Sequence, residues 1–169
     1  RQRQMCIRDR SNTWTYTYDI ENQVLSESLT YDDRQYDMSY TYDSLGIRDT
    51  VTYPGKYVVD YAPDVFGRAT KVGDIATDIE YFDSGALKSI THANGQTSTY
   101  TLNNRLLPES LVVAIGDQSE IDFLYTYDDN GNIENIDDNL NSNKSISMTY
   151  DELDRLKTAD GTWGIGNYS

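Results

Sequence analysis

Ile121-Asp-Phe123-Leu-Tyr125-Thr-Tyr127-Asp128-Asp129-Asn130-Gly131-Asn132-Ile133-Glu-Asn-Ile136 holds the architecture in one short stretch. Ile121, Phe123, Tyr125 and Tyr127 share one parity, and a period of two puts them on a single face of a β-strand. Tyr and Thr suit a pleated, half-buried surface. An Asp side chain can accept backbone N–H bonds two residues on and so close a turn. Gly then takes the positive φ that other residues resist. A second short strand follows, with Ile133 and Ile136 expected to point inward. The stretch therefore reads as a β-hairpin.

Working outward, the same hairpin recurs. Clear copies are Tyr16-Thr-Tyr18-Asp19, Tyr40-Thr-Tyr42-Asp43, Tyr125-Thr-Tyr127-Asp128 and Met148-Thr-Tyr150-Asp151. Degenerate copies are Tyr61-Ala-Pro63-Asp64, Tyr81-Phe82-Asp83 and Tyr100-Thr-Leu102-Asn103. Anchored at 18, 42, 63, 82, 102, 127 and 150, the spacings are 24, 21, 19, 20, 25 and 23 residues. A period in this range signals an array. Trp14, Tyr16, Tyr18 and Ile20 alternate with Thr13, Thr15 and Thr17, and Tyr36, Met38, Tyr40 and Tyr42 form a similar set. The turns are Asp43-Ser-Leu-Gly46, Asp64-Val-Phe-Gly67, Asp128-Asp-Asn-Gly131 and Asp151-Glu-Leu-Asp154. Leu87 with Ile90, and Leu153 with Leu156, are the expected inward pairs of the second strands. The residues that define the repeat are Tyr18, Asp19, Tyr42, Asp43, Gly46, Asp64, Gly67, Asp83, Tyr127, Asp128, Gly131, Tyr150 and Asp151. One hairpin cannot bury its apolar face alone, so neighbours must pair side by side. The expected fold is all-β: an array of antiparallel β-hairpins forming a curved, twisted open sheet. About seven repeats would give about fourteen strands in one strip. No segment shows capped helical periodicity.

Composition agrees. The 169 residues include 15 Tyr and 2 Trp, whose rings bury large areas. Asp, Asn and Gly together make up 44 residues, an excess of turn formers. The net charge of −14 argues against nucleic acid or anionic lipid as partner. No apolar run is long enough to be a membrane span.

Residues 1–10, Arg-Gln-Arg-Gln-Met-Cys-Ile-Arg-Asp-Arg, differ from everything after them. They hold four of the nine Arg and the only Cys. All ten fit one reading frame of a transposon-type sequencing adapter, CGG CAG CGT CAG ATG TGT ATA AGA GAC AG. They are read as an adapter-derived artefact, and 11–169 as the native repeats, truncated at both ends. Residues 11–169 carry 10 basic and 27 acidic side chains, a net charge of −17, and no Cys.

Tyr40-Thr-Tyr-Asp-Ser-Leu-Gly46, Tyr125-Thr-Tyr-Asp-Asp-Asn-Gly-Asn-Ile133, Tyr150-Asp-Glu-Leu-Asp-Arg-Leu156 and Thr91-His-Ala-Asn-Gly95 with Tyr100-Thr-Leu-Asn-Asn-Arg-Leu106 resemble the YD, or Rhs, repeats. These occur in Rhs proteins, in the B and C components of bacterial ABC toxins, and in teneurins. The resemblance spans 11–169. It implies hairpins that spiral into a hollow shell, which in bacterial members often encloses a C-terminal toxin. On that resemblance the chain is a structural segment of such a shell in a secreted or cell-surface bacterial protein. Its partner is the remainder of the same polypeptide, further repeats and an enclosed C-terminal domain. The core-closing segment that carries the family's self-cleaving Asp residues has no counterpart here, so no catalytic residue is carried over.

Other chemistry is weaker. Asp128-Asp-Asn-Gly-Asn132 resembles the start of a calcium loop, but Glu134 comes too early for the closing ligand at position twelve. Asp137, Asp138, Asn139, Asn141 and Asn143 read as a solvated loop. With 27 acids in 11–169, a glycosidase-like carboxylate pair is expected by chance. His92, the single His, has no Cys or second His within a metal motif and reads as an exposed turn residue. No catalytic, cofactor-binding or metal-binding residue is assigned, and no enzyme activity is expected. The alternative is a cell-surface adhesion or carbohydrate-binding array, with glycans stacked on the Tyr faces.

Overall fold

The computed structural model describes residues 3–6, 12–32 and 34–168. The remainder of the 1–10 segment, namely residues 1, 2 and 7–10, lies outside the described residues. Two compact units divide between Thr77 and Asp78. Among the described residues there is no α-helix, only a single 3-10 turn at Ser142–Lys144.

The first sheet has six strands in chain order: β1 Arg3–Cys6, β2 Thr13–Tyr18, β3 Val24–Tyr31, β4 Arg34–Tyr42, β5 Arg48–Thr52 and β6 Val58–Asp60. The second has nine, again in chain order: β7 Ala76–Tyr81, β8 Leu87–His92, β9 Gln96–Leu102, β10 Pro108–Ile115, β11 Gln118–Tyr127, β12 Ile133–Asp138, β13 Ile146–Tyr150, β14 Leu156–Gly161 and β15 Gly164–Asn167. Among the described residues these ladders are antiparallel and join chain neighbours. Both sheets are open meanders, as the hairpin reading requires.

The single strip of strands is corrected to two sheets, and the sequence at the break explains it. The degenerate copy Tyr61-Ala-Pro63-Asp64 cannot extend β6. Pro63 has no N–H to give to a ladder. Ala62 sits at φ +39, outside the strand region. The N–H groups of Thr70 and Lys71 turn back to the Tyr61 carbonyl. Only isolated bridges remain, Pro63 with Ala69 and Val72 with Ala76.

Register sorts the side chains as the period of two predicts. In the first sheet, Tyr16 faces Glu27, Glu27 faces Met38, and Tyr40 faces Val51, which faces Val59. In the second, Tyr100 faces Leu111, Leu111 faces Phe123, and Tyr125 faces Ile136. Val51, Val59, Ser98 and Ala159 are buried on this aromatic face. The opposite face carries the Thr and Ser rows. No described side chain falls below 2 % exposure. Each unit is a sheet one layer thick, and its strands make their substantial contacts with ladder neighbours.

Candidate functional site

The repeated feature is a turn with one geometry at seven places, three along one edge of the first unit's strands and four along one edge of the second's. The first residue is Asp19, Asp43, Asp64, Phe82, Asn103, Asp128 or Asp151. Its N–H donates to the carbonyl four residues on at 2.8–3.0 Å, and the N–H three residues on donates back to its carbonyl at 2.8–3.4 Å. The fourth residue always has positive φ: Asn22, Gly46, Gly67, Gly85, Leu106, Gly131 and Asp154. Except at Phe82, the side-chain oxygen of the first residue closes the loop. Asp43 Oδ1 accepts the N–H groups of Leu45 and Ile47 at 2.8 and 2.9 Å. Asp19, Asp64, Asn103 and Asp151 accept corresponding pairs. Asp128 Oδ1 accepts the N–H of Asn132 at 2.8 Å.

Electrostatics hold three of the anchors, Asp64, Asp128 and Asp151, in the ionised form. The Arg155 side chain, donating from Nε at 2.7 Å, together with backbone N–H groups, lowers Asp151 to about 2. The Asn132 amide does most to lower Asp128. Burial works against the ionised form of Asp64, but Arg68 and the N–H groups of Arg68 and Phe66 outweigh it. Hydrogen bonds to a charged acceptor are the stronger kind.

Beside five of the turns the ladder slips by one residue. Register shifts fall between Thr17/Tyr18, Thr41/Tyr42, Thr126/Tyr127, Thr149/Tyr150 and, across from Leu102, Pro108/Ser110. The extra residue sits on the second strand, at Leu25, Asp49, Glu109, Glu134 or Lys157. Such bulges bend and twist a strand locally.

The Tyr before the anchor has a separate task. Tyr42 Oη donates to the Val24 carbonyl at 2.8 Å, Tyr127 Oη to Pro108 at 2.6 Å, and Tyr150 Oη to Ile133 at 3.0 Å. Each acceptor starts the second strand of the preceding hairpin, so the phenol ties one repeat to the next. On the other face hydroxyls pair within a hairpin: Thr17 with Ser26, Thr41 with Thr50, Thr101 with Ser110, Thr149 with Thr158, each nine residues apart at 2.6–2.7 Å. That explains the Tyr-Thr-Tyr alternation.

Successive turns also touch. In the first unit, Gln23 Nε2 donates to the Gly46 carbonyl at 2.9 Å. In the second, Arg105 reaches the carbonyls of Asp128 and Asp129 at 2.7 and 2.9 Å. Asp154 accepts both Asn130 and Asn132 at 2.8 Å. Gly46 is thus required twice: its φ is +77, and a Cβ there would lie 2.9 Å from Gln23 Nε2.

Asp19, Asp43, Asp64, Asp128 and Asp151 each stand first in one of these turns, Gly46, Gly67 and Gly131 stand fourth, and Tyr18, Tyr42, Tyr127 and Tyr150 directly precede the anchors. One repeat-defining residue is corrected: the anchor of the fourth turn is Phe82, and Asp83 lies one residue further on. Tyr81 ends β7 in the position of Tyr42 and Tyr127, so the Asp of the motif is replaced by Phe. Leu153 is corrected too. It is 73 % exposed at a turn tip, while Leu156 faces Tyr150. His92 ends β8, half-buried, and its carbonyl accepts the Gly95 N–H. Asp128–Asn132 is one of the seven turns, and no metal-holding group of His, Cys, Asp or Glu occurs among the described residues. Asp137 and Asp138 belong to β12, and only Asn139 onward is loop. Sequence reasoning missed an eighth turn of this geometry on the opposite edge, Tyr53 to Tyr57, where Lys56 takes φ +67. Pro54-Gly55 was the available signal. It also missed the inter-turn partners Gln23, Arg105, Asn130 and Asp154, whose spacing of 22–24 residues equals the repeat.

Charged groups interrupt the aromatic face: Glu27 opposite Tyr16, Arg48 opposite Tyr42 and Asp138 opposite Phe123. Glu27 accepts the Tyr40 phenol, and Arg48 lies 5.1 Å from the centre of that ring. Burial and Glu27 push the Tyr40 phenol up to about 12.

The chain is similar in fold to TcdB2-TccC3. A crystal structure of TcdB2-TccC3 superposes with a TM-score of 0.75 at 20% identity, covering 90% of this chain and 9% of that one. A crystal structure of TcdB2-TccC3-Cdc42 gives the same values. The structure of a Photorhabdus luminescens Tc holotoxin pore gives 0.76 at 20% identity and the same coverage. The chain thus spans about 9% of the length of these relatives. No protein-family profile matches the sequence, and no curated protein does. What is established is the fold: open antiparallel hairpin sheets like those of Tc toxin chains.

Proposed function

We propose that this chain is a wall segment of an Rhs/YD-repeat shell, with a structural and non-enzymatic role, in a larger secreted or surface bacterial polypeptide whose C-terminal toxin or effector domain the shell encloses. The observation that carries this is the lateral tying of repeats in a sheet one layer thick. Tyr42, Tyr127 and Tyr150 each donate to the preceding hairpin, and the turn edges are pinned by Gln23, Arg105 and Asp154. Such a sheet has no core of its own and gains stability by continuing sideways, which suits a wall. Twist lets a long strip of hairpins coil and cover its own edges. The acidic balance keeps the wall soluble and favours a basic cargo.

Reading the source DNA outward from both ends tests the proposal. Further Tyr-Asp repeats, then a shell-closing segment and an unrelated C-terminal domain, are expected. A membrane or wall anchor with no cargo domain would overturn it. In the full polypeptide, the C-terminal domain should resist protease until the repeats are unfolded.

A further inference from the structure

The sequence contains two Asn-Gly pairs, Asn94-Gly95 and Asn130-Gly131, both exposed in turns. In such a pair the Gly backbone nitrogen can attack the Asn Cγ, because Gly has no side chain to block the approach. A nitrogen–carbon bond forms, the amide carbon–nitrogen bond breaks, and ammonia departs with the proton of the Gly N–H. Solvent water then opens the cyclic imide to aspartate or isoaspartate. In both turns the Gly N–H is held, by His92 O at 2.9 Å and by Asp128 O at 3.2 Å, so each must open locally before it reacts.

The side chains differ. Asn94 Oδ1 accepts the N–H of Gln96 at 3.0 Å, a local bond that spans the intervening Gly95 and leaves the side chain within its own turn. At Asn130 the equivalent donor, the Asn132 N–H, is already taken by Asp128 Oδ1 at 2.8 Å. The Asn130 amide instead points to the next turn and donates from Nδ2 to Asp154 Oδ1 at 2.8 Å.

We propose that Asn94 is a spontaneous deamidation site and that Asn130, with the same Gly after it, is held back by Asp154. The proposal is independent of the wall reading. Conversion of Asn130 would place a carboxylate against Asp154 and remove one of the two bonds that tie turns 128–132 and 151–155, leaving that from Asn132.

The test is peptide mapping of the whole chain incubated at mildly alkaline pH, scoring aspartate and isoaspartate at both positions. Asn94 should convert first and Asn130 stay largely intact. Asp154→Gly removes the carboxylate while keeping a residue at ease at φ +58, as Gly46, Gly67, Gly85 and Gly131 are in the other turns. It should accelerate residue 130 by roughly tenfold, the scale of one lost hydrogen bond to a charged group, and leave residue 94 unchanged. In concentrated urea the unfolded chain should convert both at similar rates. Native conversion of Asn130 as fast as Asn94, an Asp154→Gly protein with residue 130 still protected, or an unchanged ratio in urea would each overturn it.

Discussion

Replacing the tying tyrosines by Phe isolates the bond between repeats from the packing of the ring. Tyr127→Phe and Tyr150→Phe each delete one hydroxyl, and the donated bonds to Pro108 and Ile133 vanish while the aromatic face keeps its volume. A net loss of about 0.5–1.5 kcal/mol is expected for each bond. The two bonds have different acceptors, so the double variant should lose about 1–3 kcal/mol. At about 2–4 °C per kcal/mol for a chain of this size, that is a fall in Tm of roughly 2–12 °C. Urea unfolding followed by far-ultraviolet circular dichroism reads the loss, and amide exchange locates it. Protection should fall at the ladders joining β10 with β11 and β12 with β13, not within β13 and β14. Tyr36→Phe, at an exposed ring of the same face, is the control and should change nothing measurable. If the Tyr36 variant loses as much as the double variant, the phenols are not ties. If neither loses anything, ring packing alone joins the repeats and the lateral-tie reasoning is wrong.

Three further outcomes follow from the turn. Asp43→Asn should be nearly silent, because Asn103 already serves as an anchor, whereas Asp43→Ala should cost about 1–2 kcal/mol in urea unfolding by orphaning the N–H groups of Leu45 and Ile47. Gly46→Ala should destabilise, through its φ of +77 and its approach to Gln23, while Leu106→Gly at φ +61 should stabilise by about 1 kcal/mol, as thermal melts would show. Acid should unfold the array in a defined window. The anchors Asp64, Asp128 and Asp151 have folded values below the ordinary 3.8, so their contribution is complete above that pH and is lost as pH falls. For Asp151 the loss runs down through about 2, so a titration by circular dichroism should show the midpoint of the Asp151→Asn protein less sensitive to acid in this range.

Much of this was legible in the sequence because the hairpin's requirements are local. Alternation of Tyr with Thr marks a strand with two faces, and Asp followed by Gly at the third place marks the turn. Phe82 shows the limit. Tyr81-Phe82-Asp83 contains the expected letters, but backbone bonds, not the Asp, fix where the turn begins, and Gly85 at positive φ sets it at Phe82. The break after β6 was also hidden. Pro63 and Ala62 are individually tolerable in a hairpin repeat, and only together do they leave no continuing ladder. The inter-turn bonds were missed because Gln23, Arg105 and Asp154 bond to the neighbouring turn, not to their own, and a single repeat read in isolation carries no sign of that.

Each tyrosine tie reaches back 17–19 residues, and each turn contact 22–24, so these bonds join a hairpin to its immediate neighbours in the array. Energetically such an assembly behaves like beads with nearest-neighbour coupling. A whole hairpin could then be duplicated or excised between two equivalent Tyr-Asp positions, and the flanking copies would meet with matching phenol, carbonyl and turn. Gene segments of this kind can lengthen or shorten by recombination between their own repeats without a new interface having to evolve.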